Sequence, residues 1–140
     1  MLNRIVLALA CGLLAAGVAH AVEGQTAFDC TFGMGTTRVY DNKKFTQEPA
    51  KPLSFAITGI NATTQTAEMK TPGGSGTLRL VLAVNATHFL EVATEGALNI
   101  TTIYEKDDAK GDFPAGHSPP LSPPGQPHLT QYQGSCQAKK

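Results

Sequence analysis

Residues 76–104 read GTLRLVLAVNATHFLEVATEGALNITTIY, and the reading of this stretch decides the fold. Three apolar runs of strand length are separated by Asn85-Ala86-Thr87 and by Glu95-Gly96. Leu78, Leu80, Leu82 and Val84 recur with a period of two, and so do Leu98, Ile100 and Thr102. Between them, residues 89–92 form a short mixed run. A two-residue period in segments rich in Val, Ile, Thr and Leu indicates strands with one face buried. It assigns both of these sets to the inward face. The polar connections are too short for a crossover helix, so the three strands form an antiparallel meander.

Upstream, the first residues, MLNRIVLALACGLLAAGVAHA, have the organisation of a secretory signal peptide covering 1–21. Arg4 supplies the positive n-region, 5–18 the apolar h-region, and Ala19-His20-Ala21 the small-x-small cleavage site. The apolar run is about fourteen residues, short of the roughly twenty that span a bilayer, so no stable membrane insertion is expected after cleavage. Ala10-Cys11 is an alternative lipidation site, but it would split the apolar run. The mature chain then begins at Val22 and continues to Lys140 as one domain. An Ala-x-Ala export signal places it in the periplasm or outside the cell.

Removing Arg4 leaves ten Lys and Arg against eleven Asp and Glu, a net charge of −1. No basic stripe is available for nucleic acid, and without Trp there is little from which to build a stacking platform. Cys11 leaves with the signal, so the exported chain keeps Cys30 near its start and Cys136 near its end. Two cysteines in an oxidising compartment are expected to pair, the alternative being two buried thiols. A bond between them makes the first and last strands neighbours.

Phe28, Cys30 and Phe32 alternate with Asp29 and Thr31. Residues 36–40 are β-prone, and Asp41-Asn42 supplies a two-residue hairpin turn before Lys43-Lys44-Phe45-Thr46. Pro49 and Pro52 bracket a loop. Leu53, Phe55 and Ile57 point inward, and Gly59-Ile60-Asn61-Ala62 makes a turn. A weaker strand with Ala67 and Met69 inward follows, and then a Gly-rich hairpin loop over 71–76. Beyond a charged turn at 105–112, six of the nine prolines fall in 113–129. A segment with so few backbone donors is expected to be extended or irregular at the surface. Residues 130–136 return to alternation, with Tyr132, Gly134 and Cys136 on one side. About eight short strands, no helix and a first-to-last staple describe an all-β fold. It is a small antiparallel barrel or sandwich.

No catalytic constellation is visible, and no cofactor motif. Asp107, Asp108 and Asp112 lack the spacing of a calcium loop. His88, His117 and His128 are too scattered for a shared metal. Asn61, Asn85 and Asn99 each begin an Asn-x-Thr sequon; the first two belong to turns and Asn99 to an exposed strand position. The long proline-rich connection, 105–129, is the candidate binding element. Its contact residues would be Phe113, His117, Leu121, His128 and Leu129, and a lid packed on its own sheet is the competing reading.

Phe28-Asp29-Cys30, Ser75-Gly76 and Tyr132-Gln133-Gly134-Ser135-Cys136 together resemble small exported all-β proteins of Gram-negative bacteria. That group supplies no activity to carry over. A second resemblance is to the periplasmic inhibitors of C-type lysozyme, small β-barrels with an aromatic-x-Cys start. Their Ser-Gly turn and a later Thr-Lys-Gly segment occupy the lysozyme cleft. Here Ser75-Gly76 and Thr94-Glu95-Gly96 fall in comparable order, with Glu95 where the family has Lys. The expectation is a non-enzymatic exported protein that binds an unknown protein or small ligand, or alternatively inhibits a cell-wall hydrolase through Ser75 and Glu95.

Overall fold

A computed structural model describes residues 21–92, 98–119 and 127–139. The described chain is all-β and its strands pair antiparallel throughout. In chain order they are β1 (Ala27–Phe32), β2 (Gly35–Asp41), β3 (Lys44–Ala50), β4 (Leu53–Asn61) and β5 (Thr66–Thr71). Then follow β6 (Gly74–Ala83), β7 (Ala86–Val92), β8 (Leu98–Tyr104), β9 (Phe113–Ser118) and β10 (His128–Lys139). The sheet order is β1-β4-β5-β6-β7-β8-β9-β10, and β10 returns to β1, so eight strands close a barrel. The hairpin β2–β3 stands outside the closure as a two-stranded ribbon.

β10 makes both arrangements possible because it is twelve residues long. Its C-terminal half, from Gly134, pairs with β1, while its first residues, His128 to Gln131, pair with β2. The seam is tight. A Cβ at Gly134 would overlap the Thr31 carbonyl and the Phe32 Cα, so only glycine lets β1 and β10 approach at that level. Two residues on, Cys30 lies directly opposite Cys136 and the two are disulfide-bonded, with Cα atoms 4.0 Å apart. The barrel, not a sandwich, is therefore the architecture, and the staple joins its first and last strands.

Inside, Phe28, Phe32, Ile57, Leu78, Phe89 and Ile103 are fully buried. Val22, the expected first residue of the mature chain, is buried against the same core. Phe28 and Phe113 meet edge to face at 5.0 Å, and Phe32 stacks on Phe55 at 5.4 Å. Alternation along β1, β4, β5 and the first part of β6 follows the expected phase. Val84 does not: it is exposed in the turn between β6 and β7.

β8 runs in the opposite phase to the expectation. Asn99, Thr101 and Ile103 point inward, while Leu98 is exposed and Ile100 half-buried on the outside. The cause is register. β7 buries Thr87 and Phe89, and Phe89 pairs with Thr101 while Leu90 pairs with Ile100. Directly paired residues share a face, so the ring that enters the core carries Thr101 with it. Asn99, expected at an exposed strand position, is buried for the same reason.

The proline-rich segment also differs from its expectation. Phe113, Ala115 and His117 alternate inward on β9, a full stave of the barrel between β8 and β10. Pro114 points outward one residue beyond the last β8 pairing, Ile103↔Ala115, so its missing N–H falls where that ladder has already ended. Pro49 is likewise tolerated because β3 is an edge strand. The connection between β9 and β10 is thus 119–127, shorter than expected.

Local turns follow their chemistry. Asn42 and Lys43 both adopt positive φ (47° and 62°), the two-residue turn that suits strand twist, one position later than the sequence suggested. Gly59, at φ 60°, marks a bulge within β4 rather than its end. Asn61 Oδ1 accepts hydrogen bonds from the Thr63 and Thr64 amides, both at 3.0 Å, and turns the chain into β5. The charged turn forms as expected: Asp107 Oδ1 accepts from the Ala109 and Lys110 amides.

Candidate binding ribbon and barrel mouth

One end of the barrel carries the unusual features. There β1 leads into the ribbon, β5 turns into β6, β7 and β9 end, and β8 and β10 begin. The interior at this end is polar. Asn99 Nδ2 donates to Glu91 Oε2 at 3.0 Å and lies 3.8 Å from Met69 Sδ. Glu91 in turn lies against Gly76, where any Cβ would overlap its carboxylate. Thr101 Oγ1 and His117 Nδ1 are hydrogen-bonded at 2.9 Å, with Phe32, Phe55 and Tyr132 around the imidazole. Asn99 Oδ1 has no hydrogen-bond partner among the described residues, and neither does the Thr87 hydroxyl at the opposite end of the barrel, where β7 begins.

A hydroxyl bonded to an imidazole is the start of a nucleophile–base pair, so accessibility decides what Thr101–His117 can do. Thr101 is 0% exposed and His117 6%. At that burial neither the hydroxyl nor the imidazole is open to an acyl or phosphoryl group. Burial lowers the His117 imidazole from its usual 6.5 to about 4, because water no longer solvates the charged form. The pair is a neutral hydrogen-bonded bracket between β8 and β9.

The ribbon is the opposite case. On its outer face, which continues the outside of β10, stand Thr36, Arg38 and Tyr40 from β2, and Phe45 and Gln47 from β3. Leu129, Gln131 and Gln133 of β10 complete it. Tyr40 and Phe45 are cross-strand partners beside the turn, with ring centroids 4.9 Å apart. Phe45 is nonetheless 62% exposed, and Met34, at the ribbon's base, 74%. Two open clefts flank this face. One of about 580 Å³ is lined by Arg38, Phe45, Gln47, Pro127, His128 and Leu129. The other, about 260 Å³, lies between Met34, Arg38, Gln47, Leu129, Gln131 and Gln133.

The sequence-derived site residues are dispersed. Cys30 and Cys136 form the seam bond. Phe113 and His117 are interior barrel residues and not surface loop residues, because their alternation puts them on the inward face of β9. His128 and Leu129 belong to β10 and line the larger cleft. Ser75 is exposed on β6. Leu121 and Glu95 lie outside the described residues. Arg38, Tyr40, Phe45 and Gln47 were missed. Part of their signal was available: Arg38 and Tyr40 alternate with Thr37, Val39 and Asp41 before the Asn42-Lys43 turn, and Phe45 and Gln47 flank Thr46 after it. Among the described residues, no cluster of three or more His, Cys, Asp or Glu side chains converges on a metal-sized site. No family model, no curated protein and no solved structure matches this chain.

Proposed function

We propose that the protein is an exported, non-enzymatic binding protein that meets a protein partner with the outer face of its ribbon. The observation that carries this reading is the exposed set Met34, Tyr40, Phe45 and Leu129 around Arg38 and Gln47. All but Leu129, which lies on the adjoining end of β10, belong to the β2–β3 hairpin or its base, which the barrel does not need for closure. Tyr, Phe, Met and Arg are enriched at the buried centres of protein interfaces, whereas Lys and Glu are depleted. Open, flat clefts suit a protein surface better than an enclosed small molecule. An oxidising periplasmic or extracellular location accords with the Cys30–Cys136 bond and with the signal-like first 21 residues.

The test is capture from an envelope extract by immobilised protein, with wild type and the double variant Arg38→Ala/Phe45→Ala side by side. Removing two central contacts should weaken retention of the specific partner at least tenfold, since such positions cost upward of about 2 kcal/mol each. The melting temperature should change little, because both side chains are exposed. Equal retention of every captured species by the variant would sink the reading.

Inhibition of a cell-wall hydrolase is a second reading, supported by the exposed Ser75 beside the β5–β6 turn at the same end of the barrel as the ribbon. Lysis of a cell-wall suspension by C-type lysozyme separates the two. Inhibition that Ser75→Trp abolishes and Arg38→Ala/Phe45→Ala leaves intact would favour the inhibitor.

A further inference from the structure

The outer edge of β3 is an open strand edge: β3 pairs with β2 on one side and with no described strand on the other. All its residues but Ala50 are exposed. The two-residue turn fixes which backbone groups point outward. In such a hairpin the closing pair, Asp41↔Lys44, exchanges hydrogen bonds, and alternate pairs do so after it. Val39↔Thr46 and Thr37↔Glu48 are therefore bonded within the ribbon. The N–H and C=O groups of Phe45 and Gln47 point away from β2. In accord with this, the Tyr40 amide, opposite Phe45, turns from β3 and donates to the Pro127 carbonyl at 2.8 Å.

We propose that this edge is a self-association surface, pairing β3 of one molecule with β3 of a second copy about a twofold axis at Thr46. Three observations agree on that register. With Thr46 opposite itself, Phe45 faces Gln47 of the second copy, so the four outward N–H and C=O groups of each strand meet complementary groups. Lys44 then falls directly opposite Glu48 of the second copy, twice by symmetry, in the closer, non-hydrogen-bonded type of pair where side chains interact most strongly. Neither Lys44 nor Glu48 has a salt bridge among the described residues. Finally, the ladder ends where the chain says it must. Pro49, which has no N–H to give, comes opposite Lys43, which has already left the strand at φ 62°.

Lysine, glutamate and proline on an edge strand are also devices that prevent edge pairing. Here their spacing distinguishes the two roles. Like charges at 44 and 48 would repel in the twofold register, whereas opposite charges attract. The resulting four-stranded ribbon leaves its outer face open and puts Phe45 of the two copies on one diagonal, within aromatic reach. The inference does not depend on the binding reading above.

Sedimentation of the oxidised mature protein from low micromolar to millimolar concentration tests it. A reversible monomer–dimer equilibrium is expected. Lys44→Glu alone and Glu48→Lys alone each convert two attractive pairs into repulsive ones, and each should weaken the dimer at least tenfold. Lys44→Glu combined with Glu48→Lys should restore it to within about threefold of wild type, the signature of directly coupled neighbours. Gln47→Pro removes an outward N–H that the ribbon itself does not use, so it should abolish the dimer with little change in melting. A wild type that stays monomeric at millimolar concentration overturns the proposal. So does a dimer whose strength is indifferent to the single charge reversals and to Gln47→Pro.

Discussion

Replacing Cys30 and Cys136 together by serine is expected to lower the stability of the barrel domain by about 4–5 kcal/mol, the chain-entropy value for a loop of this size. The bond spans 106 residues and thus constrains nearly the whole unfolded domain. At the slope typical of a small domain, the urea midpoint should fall by roughly 2–3 M. The fold should survive where enough stability remains, because β1 and β10 are joined by six paired positions as well as by the disulfide. Far-ultraviolet circular dichroism of the double variant in buffer should therefore match wild type while the denaturation midpoint moves. A midpoint within about half a molar of wild type would mean that the unfolded chain gains little freedom from losing the bond. The same coupling links folding to compartment, since the reduced protein is the less stable form.

The second large effect concerns acid. His117 is buried between Phe32, Phe55 and Tyr132, which holds its imidazole near a pKa of about 4 against 6.5 in the unfolded chain. Between these values the unfolded state binds a proton that the folded state excludes, so acidification favours unfolding. Stability is complete above pH 6.5 and falls as pH drops toward 4. The slope is up to about 1.4 kcal/mol per pH unit and the total about 3 kcal/mol. His117→Gln keeps a hydrogen-bonding group for Thr101 and removes the titration. Urea midpoints measured from pH 7 to pH 4.5 should decline steeply for wild type and much less for this variant. Parallel declines would show that another group carries the acid sensitivity.

Much of the fold was legible because its determinants are local. Period-two alternation, Asn and Gly at turns and the absence of helical periodicity identify most of the strands. The two distant cysteines bring the ends together. What was not legible depends on pairing partners. Alternation defines two faces without saying which is inside, and in β8 hydrophobicity chose wrongly. Leu98 and Ile100 belong to an outer apolar stripe with Leu90, and the interior takes Asn99 and Thr101 because Phe89 sets the register. In 113–118, Pro114 and the prolines that follow the strand masked an alternation of Phe113, Ala115 and His117 that is as regular as that of β1. The site was obscured for a related reason. Nothing in the order of the strands says that β1 would skip the next two and pair with β4. Whether β2–β3 was a stave or an appendage was therefore invisible, and with it the exposure of Tyr40 and Phe45.

The barrel closes through β1 and β10 and so leaves β2–β3 outside it. Residue-resolved amide hydrogen exchange tests this most directly. The short Cα separation of Cys30 and Cys136 marks a non-hydrogen-bonded pair, so the seam's backbone bonds fall to Asp29↔Gln137 and Thr31↔Ser135. Those four amides should be protected to the same degree as the amides of β6 and β7. The outward amides of Phe45 and Gln47 should exchange orders of magnitude faster in dilute solution. Seam amides that exchange as fast as those of Phe45 and Gln47, while β6 and β7 stay protected, would contradict closure and with it the separation of barrel from ribbon.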